Sequence, residues 1–285
     1  MKIIALYNIK GGVGKTTSTV NLACMLAKQG QSILIWDMDS QGGSSYFFNL
    51  ENSNNNTHAR MFNGYCSIYD IIQHTPNNRI DIISNDSTFT DHFTYKASRV
   101  TALNFANSDL IKATLSKVKD DYDICLIDCA PGRFLLHDNI FKATDLLLIP
   151  NIPAPLSVYC NNMLLGELQS KWIEKNKVLC FYNMVQAHKT THKYFLNNTD
   201  QQNGYILRSY IPFYAEIEAI TLNKESIFQH LKEYKTNIYY NRLWDEICSR
   251  MQWCEAFNNN TIVLDLNSTL QKAAIIHTTY KQYYF

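Results

Sequence analysis

The sequence predicts a doubly wound α/β fold, with a mostly parallel β-sheet flanked by helices. The first observation is the alternation of short apolar runs with helical stretches along the 285 residues. The second is that these runs are continuously apolar, as is typical of strands covered on both faces. The third is a glycine-rich segment between the first apolar run and the first helix. Composition agrees with a globular chain, because 46% of the residues are hydrophobic and 18% are charged.

The first forty residues predict one βαβ unit. Lys2 to Asn8 is an apolar run with β-branched residues, and Thr16 to Gln29 has apolar residues at helical spacing. Gly30 stands where a C-cap glycine is expected. Ser32 to Asp37 predicts a second buried strand. Such a unit implies a parallel pair of strands with a right-handed crossover.

The rest of the chain repeats this alternation. Further strands are predicted at Ile80–Ile83, Ile124–Asp128, Leu146–Pro150, Val178–Asn183 and Ile206–Ile211. Helices are predicted near Ile111–Val118, Leu156–Trp172, Thr190–Leu196 and Tyr239–Trp253. The polar, asparagine-rich stretch from Asn49 to Asn63 predicts a surface loop. We expect one domain over residues 1–257, and a C-terminal extension over 258–285 that packs on it or is appended to it.

Charge, cysteines and hydropathy narrow the class of protein. The net charge of +1 excludes a global positive field, so nucleic-acid binding would need a local patch. The eight cysteines form no C-x-x-C pair, which favours reduced, mostly buried thiols in a cytosolic protein. We see no signal peptide and no apolar run of about 18 residues, so we expect a cytoplasmic chain without a membrane span.

Residues 10 to 17 read KGGVGKTT, between a predicted strand and a predicted helix. Glycines let successive backbone N–H groups point at one anion, and the helix N-terminus adds partial positive charge. In this pattern Lys15 can reach the β- and γ-phosphates, and the Thr16 hydroxyl can bind Mg²⁺. The predicted nucleotide-binding residues of the loop are Gly11, Gly12, Val13, Gly14, Lys15, Thr16 and Thr17. The spacing is not that of a dinucleotide-binding fingerprint, which disfavours a dehydrogenase.

Lys10 places a second lysine at the front of this loop. With it the segment resembles the deviant Walker A, or signature-lysine, ATPases, the ParA/MinD group that includes the Soj-type partition ATPases. The resemblance implies a P-loop NTPase of the SIMIBI class, with ATP and Mg²⁺ as cofactors. It also implies an active homodimer that sandwiches ATP, in which Lys10 contacts the nucleotide of the facing subunit.

Two carboxylate segments should meet this loop at the carboxyl ends of the strands. Asp37 and Asp39 leave the second strand on the same side and resemble the family's D-x-D-P-Q switch, although Ser40 replaces the proline. By resemblance, Asp39 orients the attacking water and Asp37 lies near Mg²⁺. Asp128 closes a run of four apolar residues, as in a Walker B strand, and would hold Mg²⁺ through water.

The resemblance also suggests contacts with the adenine base, and the sequence departs from the family pattern at several positions. By resemblance, Asn183 recognises adenine and Pro212 packs on it, but Phe213 replaces an arginine. Ala130 replaces a proline of the second switch. Arg133 follows where small residues are usual, and could contact phosphate or face water. Two further expectations are a helix over residues 67–72, which match a family helix, and either a metal pair or a solvated basic turn at residues 188 and 192.

The resemblance implies ATP hydrolysis in plasmid or chromosome partition, with non-specific DNA binding in the ATP state. The partner would be a ParB-like centromere-binding protein, and the protein would be nucleoid-associated. Candidate DNA contacts are Lys189, Lys193, Arg208, Lys224, Lys232, Lys235 and Arg242. We expect no helix-turn-helix ahead of the first strand and no basic membrane helix at the C-terminus. Two alternatives remain open: a MinD-like positioning ATPase for a protein or membrane cargo, and a small-molecule ATP-dependent synthase.

Overall fold

A single eight-stranded sheet organises the computed structural model, which describes residues 1–50, 57–85, 109–171, 174–199, 204–214 and 236–257. The strands are β1 (Lys2–Leu6), β2 (Ile33–Met38), β3 (Ile72–His74), β4 (Ile80–Ile83), β5 (Ile124–Cys129), β6 (Leu146–Asn151), β7 (Val178–Val185) and β8 (Ile206–Pro212). Their order across the sheet is β3-β4-β2-β5-β1-β6-β7-β8. All neighbouring strands are parallel except β3 and β4, which are antiparallel.

The helices connect these strands and cover both faces of the sheet. They are α1 (Lys15–Lys28), α2 (Gly43–Phe47), α3 (Thr57–Phe62), α4 (Leu110–Leu115), α5 (Leu135–Ala143), α6 (Pro155–Lys171), α7 (Thr190–Asn197), α8 (Thr236–Met251) and α9 (Cys254–Phe257). Short 3₁₀ turns lie at Ile68–Asp70, Ser116–Val118 and Lys175–Lys177. None of the helices in the described ranges is long and apolar enough to cross a bilayer.

Alternate side chains of each strand enter two separate cores, as a sheet with helices on both sides requires. In β1 and the residue after it, Ala5 and Tyr7 pack with residues of α4, α5 and α6, whereas Ile4 and Leu6 pack with residues of α1 and α8. The central strands β2, β5 and β6 are buried along their whole length, which explains their continuous apolar sequences. The predicted doubly wound α/β fold is therefore confirmed.

The predicted strands are all present, with boundaries that differ by a few residues. The main difference concerns the first βαβ unit, because β1 and β2 are not neighbours in the sheet. Ile124 of β5 pairs with Lys2 on one side and with Ile33 on the other, so β5 lies between them. This order brings the carboxyl ends of β1, β2 and β5 to one edge, where the three sequence motifs end.

Two local predictions were wrong. The stretch from Asn49 to Asn63 contains helix α3, because His58 and Met61 are buried and the Trp36 Nε1–H donates a hydrogen bond to His58 Nε2 at 3.0 Å. Residues 67–72 form a 3₁₀ turn and the start of β3 instead of a helix. A capping box between Ser67 and Asp70 starts that turn. The predicted extension over residues 258–285 lies outside the described residues.

Candidate functional site

The loop between β1 and α1 passes over the carboxyl ends of the central strands. Gly14 forms the N-cap of α1 in a left-handed conformation, with φ of 87°, which a residue with a side chain adopts at a cost. A Cβ atom at Gly14 would also overlap the Asn183 side-chain amide. The backbone conformation and the position of the Asn183 side chain therefore both favour glycine here.

Lys15, the first residue of α1, has its side chain buried within the loop. Its exposed fraction is 5%, and its Nζ donates a hydrogen bond to the Lys10 carbonyl oxygen at 3.2 Å. Burial lowers the pKa of Lys15, while the charges of Asp128 and Asp39 oppose this shift. The loop thus holds one ammonium group between its own backbone and the nearby carboxylates.

Asp37 and Asp128 pair in register on neighbouring strands, and both are fully buried. Asp37 Oδ2 accepts hydrogen bonds from the backbone N–H and the hydroxyl of Ser45, each at 2.9 Å. Asp128 Oδ2 accepts one from the Ser44 hydroxyl at 2.7 Å. Burial raises the pKa of both carboxyl groups, and the charge of Asp37 raises that of Asp128 further.

Asp128 Oδ1 is buried and has no hydrogen-bond partner within the described part of the chain. A buried carboxylate oxygen without a partner is costly unless a cation or a donor neutralises it. The Thr16 hydroxyl lies close enough to the Asp128 carboxyl group to lower its pKa as a hydrogen-bond donor, against the effect of burial. Thr16 is also packed against α2, where a Cβ at Gly43 would lie 2.9 Å from Thr16 Cγ2. This oxygen-rich set has the donor chemistry that Mg²⁺ prefers.

Asp39 begins the turn that leads from β2 to α2. Its Oδ1 accepts a hydrogen bond from the Gln41 N–H at 3.0 Å, and its carbonyl accepts one from the Gly42 N–H at 2.8 Å. The carboxyl group is half-buried, and Ser40 is exposed. The turn therefore keeps the Asp39 carboxyl near the loop without the proline that the family pattern has at residue 40.

The two predicted adenine contacts lie at the ends of β7 and β8. Asn183 Nδ2 donates a hydrogen bond to the Val13 carbonyl oxygen at 2.8 Å, so this side chain contacts the loop itself. Pro212 pairs with Val185 in the sheet, and the Phe213 N–H donates to the Val185 carbonyl oxygen at 2.9 Å. The structure thus brings Asn183 to the loop, whereas Pro212 stands one strand further along the same edge.

Lys10 makes contacts that the sequence did not indicate. Its N–H donates to Asn8 Oδ1 at 3.0 Å, and Asn8 Nδ2 donates to the Pro150 carbonyl oxygen at 2.8 Å. Its ammonium group donates to the Ser157 hydroxyl at 3.2 Å. The sequence analysis missed Ser157, because no sequence spacing links it to the loop. It also missed Ser44 and Ser45, although their position directly after the Asp37–Gly42 segment could have indicated a role beside the carboxylates.

Arg133 occupies neither of the two environments that we considered for it. Its Nη2 lies 2.6 Å from Asp138 Oδ1 and 3.6 Å from Glu167 Oε1, and its guanidinium lies over the Phe141 ring. Arg133 therefore joins the segment after Asp128 to α5 and α6 instead of contacting the loop or facing water. The preceding Gly132 is held by hydrogen bonds from the Tyr7 hydroxyl at 2.8 Å and to the Ile9 carbonyl at 3.0 Å.

The basic candidates for DNA contact are only partly described. Those within the described residues are exposed: Lys189, Lys193, Arg208 and Arg242. Lys224, Lys232 and Lys235 lie outside the described residues. The nearby His192 is buried, and its Nδ1 accepts a hydrogen bond from the Gln186 N–H at 3.1 Å. The described ranges contain no cluster of metal-ligating side chains. His192 belongs to α7 and is not part of a solvated turn.

Comparison with known proteins places the chain in a family. A family model described as an AAA domain, AAA_31, matches residues 1–180. The chain belongs to this family. Its relatives include the Bacillus subtilis sporulation initiation inhibitor protein Soj, which is 33% identical over 52% of this chain and 57% of Soj. The Treponema pallidum chromosome-partitioning ATPase Soj is 32% identical over 52% of this chain and 56% of that protein. The predicted resemblance to ParA/Soj-type ATPases is thereby confirmed.

The chain spans about half the length of several curated relatives, between 46% and 57%. Solved structures match it over more of its length. A plasmid partition protein from Borrelia burgdorferi B31 bound to AMPPNP has a TM-score of 0.68, with 21% identity over 87% of this chain and 98% of that one. The ATP complex of a Cyanothece McdA variant has a TM-score of 0.70, with 17% identity over 88% and 96%. At these identities the likeness shows a common fold.

A metabolic enzyme also shares this fold. Cobyrinic acid a,c-diamide synthase from Mycobacterium smegmatis, with bound ADP and magnesium, has a TM-score of 0.61 and 18% identity. The alignment covers 83% of this chain and 97% of that one. The fold alone therefore does not separate a partition ATPase from a synthase, and the decision depends on the residues of the site.

Proposed function

We propose that the protein is an Mg²⁺-dependent ATP hydrolase that dimerises around ATP and acts in plasmid or chromosome partition. The observation that carries this proposal is the arrangement of Lys15 and Asp128 around the glycine-rich loop, with a second lysine, Lys10, at its front. A buried ammonium beside backbone N–H groups suits the phosphates of a nucleotide. By the resemblance to the ParA/MinD group, this second lysine would contact the nucleotide of a facing subunit.

Mg²⁺ fits the residues present, because Asp128 offers a buried, unpartnered oxygen within the described ranges and Thr16 offers a hydroxyl beside it. These two residues would hold the ion, and Asp37 would stabilise it from the neighbouring strand. Bound there, it would supply positive charge against the β- and γ-phosphates. Its presence would also remove the cost of burying two carboxylates together.

The remaining roles follow from position. Backbone N–H groups of residues 11–17 would hold the phosphates, and Lys15 would neutralise the charge that develops on them. Asp39, half-buried at the mouth of the site, would orient the water that attacks the γ-phosphorus. The bond to the β–γ bridging oxygen breaks, so ATP and water give ADP and inorganic phosphate. Asn183 and Pro212 would contact the adenine base from the ends of β7 and β8.

The partition role extends this chemistry to a switch. ATP binding would favour a dimer that binds non-specific DNA through Lys189, Lys193, Arg208, Lys224, Lys232, Lys235 and Arg242. A ParB-like centromere-binding protein would stimulate hydrolysis and release the DNA. In this proposal the protein is cytoplasmic and nucleoid-associated, residues 1–257 form the ATPase domain, and residues 258–285 form an extension. Relatives named as partition proteins and as Soj support this choice of cargo.

Two alternatives are a MinD-like positioning ATPase for a protein or membrane cargo and a small-molecule ATP-dependent synthase. The cobyrinic acid a,c-diamide synthase shows that this fold also occurs in a synthase. Lys10 argues against the synthase, since that chemistry requires no contact across a dimer. We therefore rank partition first.

The test is DNA binding by the purified protein with ATP, with ADP and without nucleotide, at two salt concentrations, alongside phosphate release and sedimentation velocity. We expect binding to arbitrary duplex DNA only with ATP, weakened by salt and lost in Lys10→Ala. ATP-dependent dimerisation without DNA binding would contradict partition and favour a protein or membrane cargo. ATP hydrolysis that depends on a small metabolite, without dimerisation, would favour the synthase.

A further inference from the structure

The front lysine of the loop is held by its own subunit. Lys10 Nζ donates a hydrogen bond to the Ser157 hydroxyl at 3.2 Å. Ser157 lies in the first turn of α6 and is 4% exposed, so its hydroxyl has a fixed position. The Lys10 side chain is half-buried and has no carboxylate partner within the described ranges. Among the residues that the structure describes, the ammonium is thus held by a neutral hydroxyl alone.

The backbone of Lys10 is held from the same side. Asn8 accepts the Lys10 N–H at 3.0 Å and donates to the Pro150 carbonyl oxygen at 2.8 Å. Pro150 and Ser157 stand at the two ends of the connection between β6 and α6. Both ends of Lys10 therefore depend on this one connection, and the lysine is oriented before any second subunit arrives.

We propose that Ser157 is a positioning residue that holds the Lys10 ammonium within its own subunit until the ATP dimer forms. This inference rests on the proposed function, because it requires that Lys10 leaves Ser157 to contact the nucleotide of the partner. Dimerisation then includes the loss of the contact with Ser157. A hydroxyl suits this purpose, because a hydrogen bond from a charged donor to a neutral acceptor is weaker than a buried ion pair.

The geometry has a consequence for the dimerisation constant. A contact made only in the monomer lowers the population of the state competent to dimerise, so its removal tightens the dimer. We expect Ser157→Ala to tighten dimerisation with AMPPNP and Mg²⁺ by about three- to tenfold. Ser157→Asp would convert the contact to an ion pair and weaken dimerisation by at least as much. A purely structural role for Ser157 would not give opposite signs for these two variants.

Sedimentation equilibrium with AMPPNP measures these constants. Ser249→Ala, which removes an exposed hydroxyl from α8, is the matched control and should leave the constant unchanged. Lys10→Ala should itself weaken the dimer, and in that background the step from Ser157 to Ala should neither restore nor tighten dimerisation, because the group it acts on is absent. Weaker dimerisation of Ser157→Ala, or tighter dimerisation on the same step in the Lys10→Ala background, would overturn the inference.

A second measurement separates this inference from the proposed function. The rate at which Lys10 reacts with an amine-acylating reagent is followed by peptide mass spectrometry in the nucleotide-free protein. We expect Ser157→Ala to raise this rate about two- to fivefold, with Lys189 and Lys193 as unchanged internal references. Equal rates in the two proteins would overturn the inference even if the dimer forms. If Lys10 reacts faster in Ser157→Ala but the protein never dimerises, the contact between Lys10 and Ser157 is supported. The proposed dimer and the role of Ser157 in dimerisation are then both contradicted.

Discussion

The loop between β1 and α1 has a buried rear half and an accessible front half. In the rear half, Val13 is 1% exposed and Lys15 is 5% exposed, and both are held by hydrogen bonds that involve backbone atoms. In the front half, Ile9 is 38% exposed, Gly11 and Gly12 are open to solvent, and the Lys10 ammonium is held by a side chain. Groups that the backbone holds in a buried site keep one position. The Lys10 ammonium, held by an accessible side-chain contact, can exchange this contact for another one.

The largest test of this difference compares the two lysines. We expect Lys15→Met to lower the rate of ATP hydrolysis by about 100-fold or more, because the charge that faces the phosphates is lost. Lys10→Met should leave nucleotide binding by the monomer within about threefold, because its ammonium lies on Ser157 instead of inside the loop. Binding of a fluorescent ATP analogue measures the nucleotide affinity of the monomer, and phosphate release measures the rate of hydrolysis. If both variants lose nucleotide binding by the monomer to the same extent, the proposed difference between the front and rear halves of the loop is wrong.

The rear half also tolerates little change of shape. Gly14→Ala should destabilise the protein by about 2–4 kcal/mol, from the left-handed conformation and the contact with Asn183 together. In an Asn183→Ala background the loss should fall to about 1–2 kcal/mol, since only the backbone cost remains. Urea unfolding of the four proteins gives these values. Equal losses in both backgrounds would show that Asn183 moves aside without cost.

How far the sequence predicted the molecule differs between the same two halves. Local sequence rules predicted the strands, α1 and the rear half of the site. An apolar run that ends in Asp37 or Asp128 predicts a buried strand with that aspartate at its carboxyl end, where the site of such a sheet lies. The order of the strands did not follow from those rules, since the insertion of β5 between β1 and β2 is a long-range choice. The contact between Ser157 and Lys10 is equally long-range, because 147 positions separate the two residues in the sequence.

The missed elements are short. Helices α2 and α3 contain five and six residues, which is too few for a periodic apolar pattern, and they form because neighbouring buried groups hold them. For α2 these groups are Asp37 and Asp128, through Ser45 and Ser44. Arg133 was misread for a related reason, as its partners Asp138 and Glu167 come from two different helices. Tertiary contacts override local sequence at each of these places.

The paired carboxylates provide a prediction of intermediate size. Without nucleotide and Mg²⁺, Asp128→Asn should stabilise the protein by about 1–3 kcal/mol, because one of two adjacent buried charges is removed. Saturating Mg²⁺ and AMPPNP should then raise the melting temperature of the unsubstituted protein and not that of the variant. Thermal unfolding under the four conditions tests this. A variant that is less stable without Mg²⁺ would mean that the charge of Asp128 already has a compensating partner.

The smallest expected effect concerns β6, whose Pro150 carbonyl oxygen accepts the hydrogen bond from Asn8 beside the front half of the loop. Asn151, at the end of β6, is 1% exposed, and neither its Oδ1 nor its Nδ2 has a hydrogen-bond partner within the described residues. A buried amide in this condition costs free energy, so Asn151→Leu, which nearly conserves volume, should stabilise the monomer by about 1 kcal/mol. Urea unfolding without nucleotide measures the gain, and Asn161→Leu, whose amide contacts Cys180 Sγ, is the control that should show no gain. Loss of stability in Asn151→Leu would show that the Asn151 amide has a compensating partner, so that the strand beside the front half of the loop is held as firmly as the rear half.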